Sequence, residues 1–255
     1  MSELSVVNLN ASYTSGILKD VTFSLCSGQL VALCGPNGCG KSTLLSVMAG
    51  VQESALKVSG AITLDGQNVA ELKRRELAQN LAYMEQTENS TWNFNVSDYI
   101  LQGRFAHSKN GYYSSADEAI CLQVIKEVGI ENLAERKVHE LSGGEFQKVR
   151  IARALAQQPK FMLLDEPAAS LDFVYEPQLM QMLKKFCVEK QIGIILSMHD
   201  VNLAARFVDE IIFMPPQSSI IKGTPQELMN AENLHKTFGV EFIKADSAEY
   251  FVPKL

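Results

Sequence analysis

Apolar residues form short, partly alternating runs over the first sixty positions: Leu4–Val7, Val21–Leu25, Leu30–Leu33 and Ala61–Leu64, with Gly and Asp punctuation such as "LDGQN" between them. Runs of that length bounded by turn residues predict strands. From Val96 to about Gln157 the period changes, and Ile120, Val124 and Val128 recur at four-residue spacing, which predicts helix. Two continuous apolar runs follow, "FMLLDE" and "GIILSMHD", with the helical stretch Pro177–Lys190 between them. Strand–helix–strand alternation predicts an α/β fold, a parallel sheet covered on both faces. In such sheets functional groups collect beyond the carboxyl ends of the strands. Three predicted strand ends here carry reactive residues: the glycine run after Leu33, the pair Asp165-Glu166, and His199.

Composition narrows the classes. A length of 255 residues suits one large domain or a core with an insertion, and the helical middle reads as the insertion. Hydrophobic residues at 46% and charged ones at 20% are an ordinary globular balance. No apolar run approaches the ~18 residues that span a bilayer, and "MSELSVVNLNASY" lacks the charged and apolar regions of a secretory signal. Five cysteines without a CxxC pair predict reduced cytosolic thiols rather than disulfides or a zinc site. The net charge of -6 argues against nonspecific nucleic-acid binding. Lys73-Arg74-Arg75, set among Glu71 and Glu76, reads as a solvated helix face.

The stretch "CGPNGCGKST" matches G-x-x-x-x-G-K-[ST] through Gly35, Gly40, Lys41 and Ser42. Glycines let backbone N–H groups turn around phosphate oxygens, and a helix starting at Ser42-Thr43 adds its positive end. Such a lysine reaches the β- and γ-phosphates, and the Ser42 hydroxyl ligates Mg²⁺. The nucleotide contacts expected of this run are Gly35, Pro36, Asn37, Gly38, Cys39, Gly40, Lys41, Ser42 and Thr43. Cys39 reads as a small filler rather than a catalyst, and its place at a helix N-terminus beside Lys41 predicts a lowered thiol pKa. A phosphate loop needs a carboxylate for its metal, and Asp165 stands at the end of a buried strand candidate. Glu166 beside it is placed to polarise an attacking water. In Leu141-Ser142-Gly143-Gly144-Glu145, Ser142 and Glu145 make a capping box that opens a helix. The two glycines are more than a cap requires, and they suit a second anion site.

Phosphate loop, LSGGE and FMLLDE, in this order, closely resemble the nucleotide-binding subunit of ABC transporters, from about Leu4 to Phe242. The resemblance implies a P-loop NTPase (RecA-like) core with an N-terminal antiparallel β-subdomain, together residues 1–86 and 158–255, and an inserted α-helical subdomain, 87–157. It implies ATP and Mg²⁺ as ligands. It also implies a head-to-tail dimer in which Ser142, Gly143, Gly144 and Glu145 of one copy complete the ATP site of the other. Tyr13 is implied as the aromatic that stacks on adenine, Gln86 as a glutamine near Mg²⁺ and the attacking water, and Asp172, in Ser170-Leu171-Asp172, as part of the loop between copies. His199 is implied as the γ-phosphate contact, with Asp165 and Ser42 on the metal and Glu166 and Lys41 in the chemistry. Trp92 and Phe94, just after Gln86, fall where a membrane permease subunit docks in this family, or else pack inward under the loop.

The chain departs from the common pattern at Ala168 and Ser170 in "EPAASLD" and at Phe146 and Lys148 after the signature. The stretches "YILQGRFAHSKNGYYSSADEA", "MHDVNLAARFVDEI" and "GTPQELMNAENLHKTFGVE" resemble ATPases of importers for iron–siderophores, haem, cobalamin and related chelates; molybdate or tungstate importers are equally compatible. That resemblance implies polytopic permease subunits, indirectly a substrate-binding protein, and a place at the cytoplasmic face of the membrane. A non-transport ABC ATPase of the iron–sulfur assembly type and a small-molecule P-loop kinase are the alternatives.

Overall fold

The computed structural model describes residues 1–13, 16–51, 54–88, 93–169, 171–216, 218–245 and 250–254. Trp92 and Ser170 therefore lie outside the described residues. The chain opens with β1 (Glu3–Ser12), β2 (Gly16–Cys26) and β3 (Leu30–Cys34), then α1 (Lys41–Met48), β4 (Lys57–Leu64) and β5 (Gln67–Asn68). Next come α2 (Arg74–Asn80), β6 (Leu81–Met84), α3 (Val96–Leu101), α4 (Ser115–Val128) and α5 (Gly143–Ala156). The alternating part follows as β7 (Phe161–Leu164), α6 (Tyr175–Lys190), β8 (Gly193–Met198), α7 (Val201–Phe207) and β9 (Glu210–Phe213). The chain closes with β10 (Ile221–Gly223), α8 (Pro225–Leu228), α9 (Ala231–Phe238), β11 (Phe242–Lys244) and β12 (Phe251–Pro253).

Among the described residues, six strands form one sheet in the order β10-β9-β3-β8-β7-β6, parallel except for β10. Every residue of β3, β7 and β8 is buried, which is why these strands read as unbroken apolar runs. Successive residues of β3 serve different cores. Leu30, Ala32 and Cys34 pack with the helices α3 to α7, whereas Val31 and Leu33 pack with α1 and the second sheet. That second sheet is antiparallel, in the order β2-β1-β4-β5. Its alternation slips once: Leu4 and Val6 face inward, then Leu9 and Ala11. The cause is a bulge at Asn8, whose φ is 48° and where the β1–β4 register shifts between Val7 and Asn10.

The helices between β6 and β7 pack on one another and on the sheet around Tyr99, Ile100, Val124, Ile125 and Ile151. Gly103 permits the closest approach, because a Cβ there would stand 2.2 Å from the Arg153 carbonyl oxygen on α5. Arg104 beside it is buried, donating to Asp117 Oδ1 at 2.9 Å and to the Ala156 carbonyl at 2.9 Å. Hydrogen bonds from the Ser114 side chain and backbone, and then from Arg104, hold the Asp117 carboxyl down at about 2. The "GR" of the sequence is thus a packing device. Lys73, Arg74 and Arg75 are exposed, as expected of a solvated face, and Arg75 in addition donates to the carbonyls of Ala106 (2.9 Å) and Ser108, fastening α2 to the segment after Arg104. No helix among the described residues is long and apolar enough to cross a membrane.

Candidate functional site

The glycine run sits between β3 and α1, at the carboxyl end of the central sheet. A Cβ on Gly35 would lie 2.7 Å from the Met214 carbonyl oxygen and 2.8 Å from Cys39 Sγ, so only glycine lets the loop close there. Gly38 and Gly40 take φ of 78° and 102°, the left-handed region that glycine enters without penalty. Asn37, Gly38 and Ser42 are exposed, Pro36 and Thr43 half-buried. Lys41 is 5% exposed, and its ammonium donates to the carbonyls of Gly35 (2.9 Å) and Pro36 (3.2 Å). A buried cation with neutral acceptors alone among the described residues is set to receive an anion. The loop therefore fits phosphate.

Cys39 overturns its sequence expectation. The thiol is buried between Gly35 and the inner core, and desolvation raises its pKa against the lowering influence of Lys41. Burial outweighs the helix end. Its thiolate fraction near pH 7 is below that of a free thiol, so iodoacetamide should label half-buried Cys26 before Cys39, read by peptide mass spectrometry. First labelling of Cys39 would contradict the burial described here.

Asp165 and Glu166 follow β7. Asp165 is 2% exposed, donates its N–H to the Met84 carbonyl at 2.9 Å, and accepts at Oδ1 from Ser197 Oγ at 2.6 Å. The same hydroxyl accepts the Glu166 N–H at 2.7 Å. Glu166 has φ of 45°, uncommon for a residue with a side chain, and the Ser197 bond helps hold that turn. Its carboxylate is gripped from two sides: Oε2 accepts from Gln86 Nε2 at 2.7 Å, and Oε1 lies 2.7 Å from His199 Nε2. The ends of β6, β7 and β8 thus converge on one carboxylate. A carboxylate fixed in this way can accept a proton from water. Ser42, Asp165 and Gln86 offer hard oxygen donors of the kind Mg²⁺ takes.

Sequence reasoning missed several members of this arrangement. Ser197 was a lone hydroxyl within the apolar run "GIILSM", and that polarity was the available signal. Glu88 accepts from Arg153 (2.7 and 2.9 Å), Arg150 (3.3 Å) and Tyr99 Oη (2.8 Å). Burial raises its pKa, but these donors outweigh it and hold the group below the usual carboxylate range. Nothing local marks Glu88 in the sequence, because its partners are 11 to 65 residues away.

A family model described as "ABC transporter" matches residues 18–169. The chain belongs to the ABC transporter family. It is 33% identical over 243 residues to the "Iron(3+)-hydroxamate import ATP-binding protein FhuC" of Bacillus subtilis, covering 94% of this chain and 89% of that one. It is 34% identical to the "Hemin import ATP-binding protein HmuV" of Burkholderia ambifaria, covering 88% of each. With the "Phosphonates import ATP-binding protein PhnC" of Thiobacillus denitrificans it shares 34% over 97% of each chain. Among solved structures, a putative metal-chelate type ABC transporter in an inward-facing conformation superposes with a TM-score of 0.82 at 26% identity, covering 100% of this chain and 98% of that one. This ABC chain is accordingly an ATPase, with the P-loop NTPase fold expected.

In this ABC chain the signature is a capping box: Ser142 Oγ accepts from the Glu145 N–H at 3.3 Å, and Glu145 Oε2 accepts from the Ser142 N–H at 2.8 Å. Glu145 also pairs with Arg136 at 3.1 Å. A Cβ on Gly144 would meet Leu171 at 3.2 Å, so the signature and the loop before exposed Asp172 adjoin within one copy. Among the described residues, no hydrogen bond joins Ser142 or Glu145 to the 35–43 loop. Tyr13, 38% exposed, follows β1. A cavity of about 600 Å³ next to it is lined by Ser12, Gly16, Ile17, Cys39 and Met214, though not by Tyr13 itself.

Proposed function

We propose that this chain is the ATP-hydrolysing subunit of an importer, acting at the cytoplasmic face of a membrane with polytopic permease subunits. The observation that carries the reading is the grip of Gln86 and His199 on Glu166, beside a closed glycine loop with a buried lysine. The loop 35–43 binds the phosphates of ATP and Tyr13 stacks on the base. Ser42, Asp165 and Gln86 would hold Mg²⁺, which when bound offsets charge on the phosphates. Glu166 takes the proton of the attacking water; Lys41 and His199 stabilise charge on the transferred phosphoryl group. Ser142, Gly143, Gly144, Glu145 and Asp172 act on the site of a second copy. Ser142 and Glu145 bond to each other and, among the described residues, neither bonds to this copy's own loop, which supports that assignment.

Residues 1–86 and 158–255 are the nucleotide-binding body and 87–157 the inserted body that moves against it. The cargo class is an iron–siderophore, haem, cobalamin or a related chelate or oxyanion, in keeping with the names of the relatives. The scaffold alternative is not favoured, since the relatives reported are import proteins by name. Affinity isolation of the chain from membranes tests the partner. A polytopic protein should co-purify and the complex should accumulate one of these cargoes in vesicles on adding MgATP. Isolation with a soluble assembly factor instead would overturn the importer reading.

A further inference from the structure

Arg150, on α5, is 4% exposed, and its guanidinium joins the 85–88 segment after β6 to Gln147 on its own helix. It donates to Glu88 Oε2 (3.3 Å), to Gln147 Oε1 (3.0 Å), to the Gln86 carbonyl (3.5 Å) and to the Glu85 carbonyl. Gln147, itself 5% exposed, donates in turn to the carbonyl of Pro167 at 2.6 Å. Pro167 directly follows Glu166. A continuous hydrogen-bonded chain therefore runs from the backbone of exposed Gln86, through buried Arg150 and Gln147, to the backbone beside Glu166. The side chains of Gln86 and Glu166 meet at its open side.

We propose that Arg150 is a positioning residue: with Gln147 it forms a strut that sets Gln86 against Glu166 and ties that setting to α5, the helix that Ser142 caps. This rests on the reading of Gln86 and Glu166 as groups at the site of ATP hydrolysis. A guanidinium suits the task, being always charged, planar and able to satisfy several acceptors in fixed directions. A displacement of α5 must pull on both strand ends together, because one side chain bonds the Glu85-Gln86 backbone and its neighbour bonds Pro167. The plainer role for such a cluster is to hold the fold, and the two roles differ in what they do to kinetics.

Steady-state ATP hydrolysis by the full chain separates them, with Arg150→Ala, Arg150→Lys, Gln147→Met and Glu88→Gln compared by thermal melting and kinetics. A small misplacement of reacting groups costs up to about 100-fold, so Arg150→Ala should lower kcat about 10- to 100-fold. KM for MgATP should stay within about 2-fold, because none of these bonds reaches the 35–43 loop. Lysine, with a point charge and no fork, should restore little of the loss. Combined with Gln86→Ala, Arg150→Ala should add no further loss, since it acts through Gln86. Where Arg150→Ala does not fold, Gln147→Met decides, keeping side-chain length while deleting the bond to Pro167, with the same kcat-only loss expected. Losses that multiply with Gln86→Ala, or that track the melting temperature alone, would overturn the strut. Absence of ATP hydrolysis in the unaltered chain would instead overturn the functional reading beneath it.

Discussion

Replacing Glu166 with glutamine is expected to leave MgATP binding in place and to lower turnover at least ~10²-fold, the contribution usual for a general base. The amide keeps the volume of the side chain but cannot take up a proton. It can still hydrogen-bond His199 Nε2 and Gln86, whose atoms stand 2.7 Å from the carboxylate oxygens. The backbone turn should persist, because it is held by the Glu166 N–H on Ser197 and not by the side chain. With binding intact and hydrolysis stopped, ATP should hold two copies together, so size-exclusion chromatography with MgATP should show twice the monomer mass. Turnover near that of the unaltered chain would remove Glu166 from the mechanism.

Replacing Lys41 with methionine is expected to abolish the stabilisation that MgATP confers while sparing the fold. The lysine is buried with carbonyl partners at 2.9 and 3.2 Å, and an apolar chain of similar length avoids the cost of burying a cation without a counter-charge, so the fold should be spared. The nucleotide loses charge-assisted hydrogen bonds of about 1.5–3 kcal/mol each, so affinity should fall ~10²-fold or more. In thermal melts, ligand at 100 times its Kd adds about 2.7 kcal/mol of stability. The unaltered chain should show that gain and Lys41→Met should not. An equal gain in both would place the phosphates elsewhere.

The parts of the fold legible in the sequence were those whose cause is local. Strands β3, β7 and β8 are buried on both faces, so their apolar runs announced them, and the charged residues ending two of those runs marked Asp165, Glu166 and His199. The capping box of α5 was legible for the same reason, since Ser142 and Glu145 are three residues apart. What stayed hidden depended on distant segments. No local pattern marks Arg150, which is buried because Glu88 and the Glu85-Gln86 backbone, over 60 residues away, come to it. Ser197 and Gln147 gained their roles in the same way. Cys39 shows the converse failure, in which a sound local rule about helix ends lost to burial of the thiol in the core that the second sheet and α1 share.

The central claim is that Glu166 directs water onto the γ-phosphate of ATP held in the 35–43 loop. Hydrolysis of MgATP in H₂¹⁸O, with the products analysed by mass spectrometry, tests it most directly. The account predicts ADP and inorganic phosphate in equal amounts, with solvent oxygen in every phosphate and the labelled product all but lost in Glu166→Gln. Phosphate transferred to an acceptor molecule, with no solvent oxygen incorporated, would contradict it and return the chain to the kinase alternative.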